Sequence, residues 1–182
     1  MSKKLIGIVI GSLRKDSFSK QIARELASLS PDSLEFENIE IGNLELFDQD
    51  YDDEGSTPGS WKAFRENVKK YDGLLFITPE YNRSVPGVLK NALDVGSRPY
   101  GQSVWDGKPG AVVSVSPSAL SGFGANHHLR QVLVFLNVPT MPAPEAYIGD
   151  VMDLYNNGEL KEDTQEFLKS FMKSYEVWVN RF

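Results

Sequence analysis

Apolar residues recur along this chain in two rhythms that alternate. Short runs in which almost every position is apolar give way to longer stretches where apolar positions fall three or four apart. Leu5-Ile6-Gly7-Ile8-Val9-Ile10 is nearly continuous, as a strand buried on both faces requires. Gly73 to Thr78 and Ala111 to Ser116 repeat that pattern. Leu34 to Ile41 alternates more openly, like a strand nearer a sheet edge, and Val138 to Met141 and Ala146 to Ile148 are short strand candidates broken by Pro142 and Pro144. Between these runs, Phe18, Ile22, Leu26 and Leu29, then Trp61, Phe64 and Val68, then Leu129, Val132, Leu133 and Leu136 mark helical faces. A helix is expected over Val85 to Val95, with Ser84 as N-cap and Pro86 in its first turn. Asp163 followed by Glu166 resembles a capping box opening a last helix, whose buried stripe would be Phe167, Phe171, Trp178 and Phe182.

Strands and helices that alternate in this way imply parallel strands joined by right-handed crossovers, with helices on both faces. Five strands fit an α/β, flavodoxin-like doubly wound sheet of order 2-1-3-4-5. At 182 residues, with no repeat, linker or low-complexity tract, residues 1–182 read as a single domain. Ligands of such sheets bind beyond the carboxyl ends of the strands, at the switch point. Function is therefore expected just after Ile10, Thr78 and Ser116.

Composition narrows the chemistry. The chain is 41% hydrophobic and 24% charged, which excludes a disordered or fibrous protein. It has no cysteine, so disulfide scaffolds, zinc fingers, iron–sulfur clusters and thiol enzymes are excluded. A net charge of −6 without a basic run argues against nucleic acid as a partner. Met1-Ser2-Lys3-Lys4 is mildly basic, but the run to Ile10 is too short for an export signal or a membrane span. A cytoplasmic location with no membrane partner is expected.

The segment Gly11-Ser12-Leu13-Arg14-Lys15-Asp16-Ser17-Phe18-Ser19 leads from the first strand into a helix. Unpaired amides, a positive dipole end, three hydroxyls and the Arg14 guanidinium together suit a phosphate. An N-cap turn with polar residues is the plainer alternative. No G-x-x-x-x-G-K-[ST] or G-x-G-x-x-G is present, which argues against a P-loop triphosphatase and a dinucleotide Rossmann site. After the third strand, Pro79, Pro86 and Gly87 fix a short polar–aromatic loop, Glu80-Tyr81-Asn82-Arg83-Ser84, suited to a planar ligand or to an ordinary surface turn.

These segments resemble the NAD(P)H-dependent FMN reductase family of quinone, chromate and azo-dye reductases. Pro79 through Asp94 resembles its flavin loop, Gly11 to Ser19 its phosphate loop, and His128 to Leu136 its fourth helix; the resemblance spans roughly residues 4 to 148. It implies that Ser12, Arg14, Ser17, Phe18 and Ser19 hold the FMN phosphate. It implies that Pro79, Glu80, Tyr81 and Asn82 line the isoalloxazine, and that Ser116, Ser118 and Gly122 in the stretch to Gly124 close the pyrimidine end. NAD(P)H would be co-substrate, passing hydride to the flavin, which hands electrons to a small-molecule acceptor (quinone, flavin, azo compound or metal oxyanion) by ping-pong chemistry. No catalytic side chain is then needed, because the flavin performs the chemistry and the protein supplies position and electrostatics. A homodimer is implied, with a tetramer as the larger alternative. A flavodoxin-like FMN electron carrier serving protein partners is the alternative function.

The chain departs from the family pattern at Asp16, Arg83 and His127. His127-His128 reads as a surface or interface pair rather than a metal site. The acidic run Asp48 to Glu54 lacks the calcium-loop pattern and reads as a solvated loop. Trp105 to Pro109 reads as a turn, and residues 149 to 162 as an acidic surface loop turning at Asn157-Gly158.

Overall fold

The computed structural model describes residues 3–182; Met1 and Ser2, which open the basic N-terminus, lie outside them. The elements run β1 (Lys4–Ile10), α1 (Phe18–Ser28), β2 (Leu34–Ile39), α2 (Asp50–Asp53), α3 (Gly59–Lys69), β3 (Gly73–Thr78), α4 (Gly87–Gly96), β4 (Gly110–Val115), α5 (Phe123–Phe135) and β5 (Ala146–Ile148), then a 3-10 turn over Val151–Leu154, the pair β6 (Tyr155–Asn156) and β7 (Glu159–Leu160), and α6 (Glu162–Val179). The main sheet is parallel in the order β2-β1-β3-β4-β5, as the alternating pattern predicts.

Every residue of β3 and β4 is buried, which explains their unbroken apolar spelling. One face of the sheet packs on α1 and α6, around Ile6, Ile8, Leu26 and Phe171. The other packs on α3, α4 and α5, around Val9, Trp61, Leu93 and Leu133. Trp105 is fully buried on this second face, and its indole donates to Leu93 O at 3.0 Å. The turn expected over Trp105 to Pro109 is therefore a core anchor at its first residue. Gly96 admits it: a Cβ there would lie 2.5 Å from the indole.

β5 has only three residues and is held by side chains as well as by its ladder. Asn126, fully buried in α5, donates to Ala146 O and to Ser114 Oγ, both at 3.3 Å. Its carbonyl accepts from Arg130 Nε at 2.9 Å, and Arg130 also donates to Met141 O. Val138 to Met141 does not become a strand. Pro139 has no N–H, so the segment makes only a bridge at Gly110 and Thr140.

Three further expectations are corrected. The residue before a proline is pushed out of helical geometry, so Val85 cannot be helical; Pro86 is the extended N-cap and α4 starts at Gly87. Ser84 caps nothing. α6 starts at Glu162 with Lys161 as N-cap, so Asp163 already lies in the first turn and accepts from its neighbour Thr164 rather than closing a capping box. The buried stripe of α6 is Leu168, Phe171, Met172, Tyr175 and Val179, because two helical stripes overlap at Phe171 and the one carrying Tyr175 faces the sheet. Phe167 and Phe182 are exposed and Trp178 is half-buried.

The two acidic segments are also more ordered than solvated loops. Asn157 (φ 50°) and Gly158 (φ 87°) form the expected turn, but between β6 and β7, and Val151 and Leu160 are buried in the core. The Asp48 to Glu54 run contains α2, from which Asp52 makes a bidentate pair with Arg65 at 2.7 and 2.9 Å, both side chains at most 8% exposed. No helix among the described residues is long and apolar enough to cross a membrane.

Candidate functional site

β1, β3 and β4 end side by side, and the three loops leaving them meet there. Gly11 makes the approach possible. Its amide donates to Ile77 O at 2.8 Å, and a Cβ would press on Leu89, Thr78 and Pro79 at 3.2 to 3.4 Å. A cavity of about 200 Å³ opens between the loops, lined by Ser12, Arg14, Ser17, Phe18 and Ser19 from the first, Pro79, Glu80 and Tyr81 from the second, and Val115, Ser116 and Pro117 from the third. Nine of the twelve residues expected at the cofactor are thus brought together: these eight loop residues and Ser116.

The first loop is organised by the helix it enters. Ser17 is the N-cap of α1, its hydroxyl accepting from Lys20 N at 3.3 Å and its carbonyl from Gln21 N. That leaves the Phe18 and Ser19 amides at the positive end of the helix without a partner among the described residues. Ser12 and Ser19 are buried, at 4% and 1% exposure, and their hydroxyls likewise meet no partner among the described residues. Donors that open onto a cavity without a protein partner, gathered at a helix N-terminus beside a guanidinium, fit a phosphate ester. Asp16 is exposed and does not line the cavity.

The second loop is a tight turn rather than the start of a helix. Tyr81 and Ser84 exchange both backbone hydrogen bonds at 3.0 Å, around Asn82 (φ 52°) and Arg83 (φ 63°). Two successive left-handed residues make this a primed turn, which costs backbone energy unless its surroundings hold it. They do so at two points. The Glu80 carboxylate accepts from Ala125 N in the first turn of α5 at 3.0 Å and from Arg83 Nη1 at 3.2 Å. Ser84 Oγ meets His128 Nδ1 at 3.0 Å. Glu80 therefore forms part of the cavity wall while its charge is committed to the α5 terminus and to Arg83. Asn82, expected at the ring, is exposed in the turn and does not line the cavity; its backbone conformation, not its side chain, shapes the loop.

In the third loop Ser116 lines the cavity, but Ser118 and Gly122 do not. Ser118 is exposed, its amide and hydroxyl both paired to Ser116 Oγ at 3.1 Å. Gly122 (φ 69°) is buried behind the loop as the N-cap of α5, where a Cβ would lie 3.0 Å from Ser114. The run of serines and glycines marks the loop in the sequence but cannot say which of them face inward. His127 belongs to a separate cluster with Phe123 and Tyr147, its Nε2 3.2 Å from the Tyr147 hydroxyl. Burial and Glu145 hold that hydroxyl's pKa above the usual tyrosine value. No metal-binding group of acidic, histidine or cysteine side chains exists among the described residues.

The family model described as NADPH-dependent FMN reductase matches residues 4–153. The chain is 54% identical to a quinone reductase of Pseudomonas putida over 96% of this chain and 94% of that protein. It is 49% identical to a 2-hydroxy-1,4-benzoquinone reductase of a Burkholderia species, over 96% and 95%. Among solved structures it is similar to FerB, a flavoenzyme NAD(P)H:(acceptor) oxidoreductase from Paracoccus denitrificans, with TM-score 0.91, 36% identity and 98% of each chain covered.

Proposed function

The chain belongs to the NADPH-dependent FMN reductase family, and on that premise we propose that it reduces quinones with electrons from NAD(P)H at an FMN bound where the three loops meet. The observation that carries this reading is the set of donors that face the cavity at the α1 terminus without a protein partner among the described residues: the Ser12 and Ser19 hydroxyls with the Phe18 and Ser19 amides. These groups, with Arg14 and Ser17, would hold the phosphate. Pro79, Glu80, Tyr81 and Ser116 would border the ring, and Asn82 would act through the turn it shapes. When bound, FMN supplies the ability to take up a hydride and release it to a second substrate.

The side chains then position rather than react. Glu80 donates nothing to the substrate, because its carboxylate is held by Ala125 N and Arg83. That commitment also keeps a free negative charge away from a site that gathers electrons. Tyr81 is 46% exposed at the mouth and leaves it open to planar reactants. Donor and acceptor would use this mouth in turn, as ping-pong kinetics requires; parallel lines in initial-velocity plots are the expected pattern. Free flavin, azo compounds and metal oxyanions are further acceptors an open mouth would admit. A homodimer of a single-domain chain acting in the cytosol completes the proposal, and a solution mass near one 20.3 kDa chain would remove the dimer.

The decisive experiment is the anaerobic visible spectrum of the FMN-supplemented protein before and after NADPH or NADH. Bleaching within seconds is expected. A bound flavin that stays oxidised with both donors points instead to an electron carrier for protein partners. Absence of FMN binding removes the site assignment itself.

A further inference from the structure

A second cavity, of about 330 Å³, lies on the α1 face of the sheet, with Ser12 and Leu13 of the first loop at one end. It arises from a mismatch in cover. α1 packs over β1, β3 and β4 and makes little contact with the edge strand β2, so a cleft runs between helix and strand. Residues of β2 at a spacing of two, Phe36 and Asn38, face the cleft with Glu40 beyond them, in register with Ile6 and Ile8 of β1. Across the cleft α1 presents Ala23 and Ala27, whose small side chains leave the space open, and the cations Lys20 and Arg24. Volumes of this size with an apolar floor and a few polar groups at the rim are characteristic of small-molecule sites.

The charges at the rim restrict the occupant. Among the described residues neither Lys20 nor Arg24 is paired with a carboxylate. Glu40 is the one acidic residue in the lining, and its Oε1 already accepts from Gly42 N at 2.7 Å. Two cations and one anion leave a single positive charge. The sheet side of the cleft has an apolar floor of Ile8, Ile10 and the half-buried Phe36, with the polar Asn38 beside it. We propose that this cleft is a ligand site for a compact aromatic monoanion, its carboxylate held by Lys20 and Arg24 and its ring laid between Phe36 and the two alanines. Such a site is separate from the cavity under the three loops, although Ser12 borders both.

Calorimetric titration of the FMN-loaded protein with 1-naphthoate tests this. Saturable binding at one site per chain is expected, and the uncharged 1-naphthalenemethanol should bind at least tenfold more weakly. Arg24→Glu should weaken naphthoate at least tenfold while FMN content and quinone turnover stay unchanged. Ala27→Trp should fill the cleft and abolish naphthoate binding, again with flavin retained; Arg24→Glu alone decides the matter should Ala27→Trp not fold. The proposal is overturned by the absence of saturable binding. It is equally overturned by naphthoate binding that Arg24→Glu leaves intact and NAD(P)H displaces, which would put the aromatic acid at the mouth of the other cavity.

Discussion

The first and second loops of the site border the same cavity but are held in different ways. Beyond Gly11, the loop from Ser12 to Ser19 is organised by contacts three or four residues apart, with Ser17 capping the helix that follows it. The turn from Pro79 to Ser84 is strained, and its braces, Ala125 and His128, lie 45 and 44 residues away. One half of the site is therefore local chemistry and the other is tertiary. Substitutions in the first should alter phosphate recognition alone, whereas substitutions bracing the second should alter the ring site for any flavin. The ratio of FMN to riboflavin affinity separates the two, since riboflavin has no phosphate.

The largest effect is expected from Ser19→Asp, which sets a carboxylate where the phosphate would lie, taking the same donors and repelling its charge. FMN affinity should fall by at least ~100-fold while riboflavin changes by less than about threefold. Flavin-fluorescence titration reads both, and an equal loss would show that the two loops are not independent. Next, Gly124→Ala places a Cβ 2.9 Å from Arg83 O and 3.0 Å from Glu80 Oε2, so the braced turn must shift. Overpacking of this kind costs roughly 1–3 kcal/mol. Both flavins should lose about tenfold in affinity, the ratio between them staying constant. Smaller still, Glu80→Gln keeps the shape and removes the charge at the α5 terminus, worth about 1 kcal/mol. A uniform loss of a few-fold in both affinities is expected, and an effect confined to FMN would refute the bracing role.

The smallest effect on the flavin should come from outside either loop. Hydrogen bonding to Arg65 holds the Asp52 carboxyl below the usual carboxylate range. A depressed folded pKa means the pair's contribution is complete above the free-carboxylate value of about 4 and is lost as pH falls through the lower folded value. Thermal melts should therefore drop steeply below about pH 4, and Asp52→Asn should flatten that acid limb and lower the melting temperature at neutral pH. Flavin affinity at pH 7 should not change.

The same division explains what was legible in the sequence. The strand order follows from the alternating periodicity, and the Ser17 cap of the first loop from contacts three and four residues away, so both are legible in the sequence. The family resemblance puts Glu80 at the proposed ring site; that its charge serves α5 depends on Gly124 letting the helix come close, which no local pattern encodes. Ser84 resembles a helix cap in its spelling, but Pro86 keeps Val85 out of helical geometry and the helix starts at Gly87. Trp105 does lie in a turn, as its spelling predicts, but its burial depends on the missing side chain of Gly96, at the end of α4. Asp52 reads as solvated in the sequence because its partner Arg65 stands on a helix face with an otherwise ordinary apolar stripe. The α1–β2 cleft left no trace in the pattern, since alanines on a helix face read as core.

The Asn126 side chain has a consequence for how the molecule comes apart. It joins β4, β5 and α5 through one amide group that is fully buried, and Arg130 extends the junction to the chain just before β5. Releasing any one of these partners strands polar atoms away from water, so the strand cannot fray residue by residue from the sheet edge. β5 and the segment that follows it should then detach as one cooperative unit, and backbone amides of this three-residue edge strand should exchange with solvent deuterium as slowly as those of α5.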